Sequence, residues 1–138
     1  MIQDIIHKLH SELPAAVKLV AVSKFHPFEA IEEAYKAGQR IFAESRPQEL
    51  AAKVKTLEAR RAELGDPSYM ADIEWHFIGH LQTNKLKMVL PYVSLIQSVD
   101  SVRLLEAIDN WGQANDKVLY VLLECFISSD ETKQGFSE

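Results

Sequence analysis

Five short apolar runs alternate with longer amphipathic stretches along this chain, which restricts it to the α/β architectures built on a parallel sheet. In the opening helix Ile2, Ile5, Ile6, Leu9 and Leu13 recur at helical spacing. KLVAVSK, residues 18–24, is continuous and valine-rich, as expected of a strand covered on both faces. Pro27 suits the first turn of a helix that runs through Ile31, Ala34 and Tyr35 and stops at Gly38. RIFAES is the second strand, and Pro47 opens a helix with Leu50, Val54, Leu57 and Leu64 near one stripe, broken by Gly65, Asp66 and Pro67. IEWHFIG is the third strand, QTNKLKMVLPYV a short helix and LIQSVD the fourth strand. SVRLLEAIDNWGQAN is a helix that Ser101 or Asp100 caps, and KVLYVLLECFIS is the fifth strand. Each helical stretch is long enough for a right-handed crossover, so the sheet is either open and doubly wound or part of a βα barrel. Periodicity does not separate the two.

Composition narrows the function classes. A chain of 138 residues, 47% of them apolar, has the makings of one globular domain. Its net charge of -5, with both signs mixed along the chain, offers no basic stripe for a nucleic acid. No apolar run approaches a membrane span, and MIQDIIHKLHSELP does not read as a signal peptide. The lone Cys125 lies in an apolar run, where it reads as a small core residue in a reducing compartment. A cytoplasmic location without nucleic-acid or membrane partners is expected.

In both candidate folds ligands gather at the carboxyl ends of the strands. Those ends are polar here: Ser23 and Lys24; Glu44, Ser45 and Arg46; His80 with Gln82 and Asn84; Ser98 and Asp100; and Ser128, Ser129 and Asp130. The opposite ends carry what read as surface charges, Lys18, Arg40, Asp72 and Lys117. Alternation puts Lys24 on the face of Val20 and Val22, which a barrel would bury. A buried lysine loses part of its charge preference and can attack an aldehyde as the free amine. A lysine snorkelling from a strand end into solvent is the competing reading, and spacing does not choose between them.

His76 and His80 are four residues apart, but on a strand running into a loop rather than on a helix, and no third ligand stands near them in sequence. They read as an interior histidine and a loop donor. Asn84 and Lys85 open a helix whose free N–H groups could meet an anion, although surface capping explains them equally well. Trp75 and Trp111 read as core, and Glu32, Lys36, Glu58 and Arg61 as a solvated helical face.

LVAVSK ending in Lys24, IFAESRPQE, WHFIGHLQTNK, IQSVDS and SSDETKQGF together resemble the pyridoxal phosphate homeostasis (YggS/PROSC) family along the whole chain, WHFIGHLQTNK most specifically. The resemblance implies a TIM-type βα barrel like the N-terminal domain of alanine racemase, here incomplete, with about five parallel strands of eight. It implies that residues 1–138 are the N-terminal portion of a single barrel domain binding pyridoxal 5′-phosphate (PLP) as a Schiff base on Lys24. Ser45, His80, Gln97 and Lys133 are the further cofactor-binding positions that it suggests. The implied role is intracellular PLP homeostasis without established catalysis, with PLP-dependent apo-enzymes as recipients. Without a second domain to orient a substrate and dry the site, a carrier is physically reasonable.

Some positions depart from the family pattern. Ala43 and Ser45 stand where it has glycine and asparagine, so a hydroxyl of shorter reach replaces an amide. Gln97 replaces a common histidine, Phe126 an asparagine or histidine, and His26 a second lysine, while Lys133 matches. A complete barrel needs roughly 200 residues or more, and the resemblance implies that the phosphate-cupping loops and an arginine for the pyridine nitrogen lie beyond Glu138. An incomplete barrel would expose the edges of its first and fifth strands and invite oligomerisation. A fold-type III PLP enzyme (racemase or decarboxylase), a Schiff-base lysine aldolase and a pure assembly fragment are the alternatives.

Overall fold

Extended backbone at Pro27, Arg46 and Ser101 leads into three of the helices, and each of the three sits where the chain leaves the sheet. The computed structural model describes residues 2–126 and 136–137, with side chains from 2 to 124. In chain order the elements are α1 (Ile2–Glu12), β1 (Ala21–Val22), α2 (Phe28–Lys36), β2 (Ile41–Glu44), α3 (Pro47–Leu64) and β3 (Glu74–Phe77). A 3-10 turn (Thr83–Lys85) leads into α4 (Leu86–Val89), followed by β4 (Val93–Val99), α5 (Val102–Ala114) and β5 (Val121–Leu123). Beyond them β6 (Cys125–Phe126) pairs in parallel with β7 (Phe136–Ser137).

The main sheet is parallel throughout, in the order β1-β2-β3-β4-β5. Sequential order with every crossover returning to the next position is the connectivity of a βα barrel, and here five strands of it are formed, as expected. The open doubly wound sheet, which reverses its strand order part-way, is excluded.

The helix-facing side carries the core. Phe42 and Trp75 meet with ring centroids 6.1 Å apart, and Phe77, Ile96, Leu50 and Val89 are fully buried beside them. Gln39, also buried, donates to the carbonyls of Leu19 (2.7 Å) and Ile41 (2.8 Å), tying β1 to β2 at their amino ends. Ser101 caps α5 as expected, accepting from the N–H of Leu104 at 3.1 Å. Gly65 closes α3 in the left-handed conformation, with φ 62°.

Four expectations need correction. The first strand is not covered on both faces: it shrinks to two residues at the sheet edge, and Val22 is 50% exposed. A strand without a second neighbour has no ladder to extend it. Leu64 falls outside the α3 stripe and is exposed. Glu32 is not solvated: it is buried between α2 and α3, accepting from Arg60 at 3.0 Å and from the hydroxyl of Tyr69 at 2.7 Å. Arg61 turns inward to the carbonyls of Tyr69 (2.7 Å) and Met70 (3.2 Å), bracing the loop before β3.

Candidate functional site

The carboxyl end of β1 is shaped by a four-residue turn. The N–H of His26 donates to the carbonyl of Ser23 at 3.1 Å, which makes Lys24 and Phe25 the central pair. Phe25 has φ 66°, a left-handed conformation that side-chain-bearing residues seldom adopt. Lys24 itself is exposed, and its amine makes no hydrogen bond or ion pair with the described residues. Of the two readings of Lys24, the described residues fit the solvent-exposed one, since the face it shares with Val22 lies open.

Helix α3 grips this turn from below. Lys53, buried, donates to the carbonyl of Ser23 at 2.7 Å and to Glu44 at 2.6 Å. One helical turn earlier, Glu49 accepts from Lys53 at 3.0 Å and from the N–H of Phe25 at 2.6 Å. Glu44 is fully buried and also accepts from the hydroxyl of Ser23, while its other oxygen has no partner among the described residues. The guanidinium of Arg46 lies over the Phe25 ring at 4.6 Å. Burial alone would raise the Glu49 pKa, but the hydrogen bonds from Lys53 and from the Phe25 N–H outweigh it and hold the carboxyl below its ordinary value.

Along the same rim, Ser45 and Gly79 bring the ends of β2 and β3 together. A Cβ built on Gly79 would lie 1.9 Å from the Ser45 carbonyl oxygen, so only glycine allows this approach. Ser98 donates to the carbonyl of Gly79 and joins β4 to the pair. His80 is half exposed on the rim, with Nδ1 3.5 Å from Asp100 at the end of β4. Gln97 hydrogen-bonds His76 at 3.0 Å on the face turned away from the helices. Burial lowers the pKa of His76, which Glu74 partly opposes, so His76 is the interior histidine that was expected.

Ser45, His80 and Gln97 thus occupy the carboxyl ends of β2, β3 and β4, but no hydrogen bond links any of them to Lys24. Lys133, with Ser128, Ser129 and Asp130, lies outside the described residues. No cluster of three metal-ligating side chains occurs among the described residues, and none of their helices is long and apolar enough to cross a membrane. Reading the sequence missed Lys53 and Glu49. Lys53 falls three residues after Leu50 and four before Leu57, inside the apolar stripe, and that placement was the available signal.

No family model matches the chain. The pyridoxal phosphate homeostasis protein of Synechocystis is 36% identical over 134 residues, covering 97% of this chain and 57% of that protein. PipY of Synechococcus elongatus, solved without PLP, superposes with a TM-score of 0.81 at 39% identity, over 99% of this chain and 59% of PipY. Its form with PLP bound gives 0.81 at 38% identity, covering 99% of this chain and 58% of PipY. Alanine racemase from E. faecalis shares the fold, with a TM-score of 0.66 at 20% identity over 98% of this chain and 34% of the enzyme. The chain spans about half the length of the curated relatives it matches. Over nearly its whole length the chain is thus similar to the pyridoxal phosphate homeostasis proteins.

Proposed function

We propose that residues 1–138 are the N-terminal portion of a single barrel domain that binds PLP through a Schiff base on Lys24 and serves intracellular PLP homeostasis as a carrier. One observation carries the reading. A relative solved with PLP bound is 38% identical over 99% of this chain, and at the carboxyl end of β1 the exposed Lys24 amine makes no hydrogen bond or ion pair with the described residues. The donor set suits the aldehyde end of that cofactor: an amine to condense with it, and a hydroxyl from Ser45, an amide from Gln97 and an imidazole from His80 on the same rim. Lys133 would add a second amine that assists transfer to apo-enzymes. Bound PLP supplies an electron sink, but an amine facing solvent favours loading and release over turnover, because catalysis also needs a dry site and an oriented substrate.

The test is incubation with PLP, reduction with borohydride and peptide mapping by mass spectrometry. The expected result is a reduced adduct concentrated on Lys24, together with loss of the Schiff-base absorbance in Lys24→Ala. Equal absorbance in Lys24→Ala would overturn the assignment. Turnover of amino acids by the PLP-loaded protein would replace the carrier with an enzyme.

A further inference from the structure

Lys24 is held from both sides, yet neither hold touches its side chain. The carbonyl before it, on Ser23, accepts from Lys53 at 2.7 Å, and the N–H after it, on Phe25, donates to Glu49 at 2.6 Å. The two holding residues are four apart on α3 and paired with each other at 3.0 Å. The pair is rooted in Glu44, which is fully buried and 2.6 Å from the Lys53 amine. A helix thus fastens the two peptide groups that flank Lys24 to the interior of the fold.

The fastening has a conformational consequence. Phe25 stands at the third position of the turn with φ 66°, a place that glycine or asparagine usually fills. An aromatic residue there needs surrounding contacts to hold it, and three are present: the Glu49 carboxylate on its N–H, the Arg46 guanidinium on its ring and the Ser23–His26 hydrogen bond that closes the turn. A relaxed turn would let Lys24 rotate off the carboxyl end of β1.

We infer that Glu49 and Lys53 are positioning residues that set the direction of Lys24 by clamping the backbone on either side of it, an assignment that rests on the proposed role of Lys24 as the aldehyde-binding amine. Neither residue touches the bound aldehyde in this scheme. Glu49 is the residue to vary, since its side chain is 21% exposed and its loss leaves the Lys53–Glu44 pair in place.

Two readouts are compared in wild type, Glu49→Ala and Glu49→Gln: amide hydrogen exchange at Phe25 by NMR, and the ratio of borohydride-trapped PLP on Lys24 to that on the exposed Lys36 of the same sample. In Glu49→Ala, Phe25 exchange should quicken about tenfold, as for loss of one charge-assisted hydrogen bond, and the Lys24 to Lys36 ratio should fall several-fold. Glu49→Gln, which keeps an acceptor, should restore most of both. A ratio or a Phe25 exchange rate within about twofold of wild type in Glu49→Ala overturns the inference, as does a Gln variant no better than Ala. If wild type itself shows no preference for Lys24, the proposed function fails and the inference falls with it; a wild-type preference that survives Glu49→Ala defeats the inference alone.

Discussion

The Nδ1 atom of His76 lies 3.0 Å from the side-chain amide of Gln97, joining β3 to β4 across the face turned away from the helices. An amide N–H donating to Nδ1 requires that nitrogen to be unprotonated, so the arrangement selects the neutral ring protonated on Nε2. Burial acts in the same direction and holds the pKa below the ordinary 6.5.

A pH dependence follows. Below 6.5 the unfolded chain binds a proton at this histidine that the folded chain still refuses, so stability falls as the pH drops from 6.5 toward the lower folded value. Above 6.5 the group contributes no slope. Carboxylates with lowered pKa values add a loss of the same sign at lower pH, so the informative quantity is the difference between wild type and His76→Gln. Thermal midpoints recorded from about pH 7.5 down to about pH 5.5 should fall more steeply in wild type than in the variant. Parallel curves would show that the buried imidazole does not titrate with folding.

The Lys53–Glu44 pair predicts a non-additive pair of substitutions. Lys53→Met leaves a fully buried carboxylate without its cation and should cost about 3–5 kcal/mol in urea unfolding. Adding Glu44→Leu should recover much of that loss, since an apolar pair of similar volume does without the ions. Two losses that simply sum would mean that the charges are solvated in solution.

Two glycines separate steric need from backbone need. At Gly79 a Cβ would sit 1.9 Å from the Ser45 carbonyl oxygen, and a backbone atom just past the β2–β3 ladder, next to the 2.9 Å hydrogen bond from the Ile78 N–H to the Glu44 carbonyl, has little room to give way. Gly79→Ala should therefore cost about 3 kcal/mol or more, and disturb the rim where β2 and β3 end. At Gly65 nothing lies within 4 Å, and only the φ of 62° opposes a side chain. Gly65→Ala should cost about 1–2 kcal/mol. Equal losses in denaturant titrations would contradict the close approach at Gly79.

The run of strands and helices was legible in the sequence because alternating apolar periods report burial directly. Strand lengths were less so: residues 19–22 are apolar throughout, yet only Ala21–Val22 pair, since an edge strand has one neighbour to bond with. The polar rim was also legible, with Ser45, His80 and Ser98 falling at strand ends as the spacing implied. The exposure of Lys24 was not, because burial there depends on what covers Val22 across the sheet, which local alternation cannot report. Long charged side chains hid the rest. Glu32, Glu49, Lys53 and Arg61 carry charges that suit solvent, and only their position relative to Leu50 and Leu57, or the tertiary contacts themselves, reveals that they reach inward.

Val121 lines a cavity with Leu105 and Ile108 of α5, so Tyr120 and Leu122 face the other way, where they are 68% and 51% exposed. Val22 is equally open on the strand at the opposite edge. Apolar groups beside unpaired strand edges favour association between copies. The 138-residue chain should therefore self-associate as its concentration rises, and Tyr120→Lys with Leu122→Lys should shift it toward monomer in sedimentation velocity. Because both side chains are exposed, the double variant should keep the wild-type thermal midpoint to within a few degrees, roughly the effect of surface changes of about 0.5 kcal/mol each. Unaltered sedimentation would place the contact elsewhere, and a monomer at every concentration would show that the open face is tolerated in water.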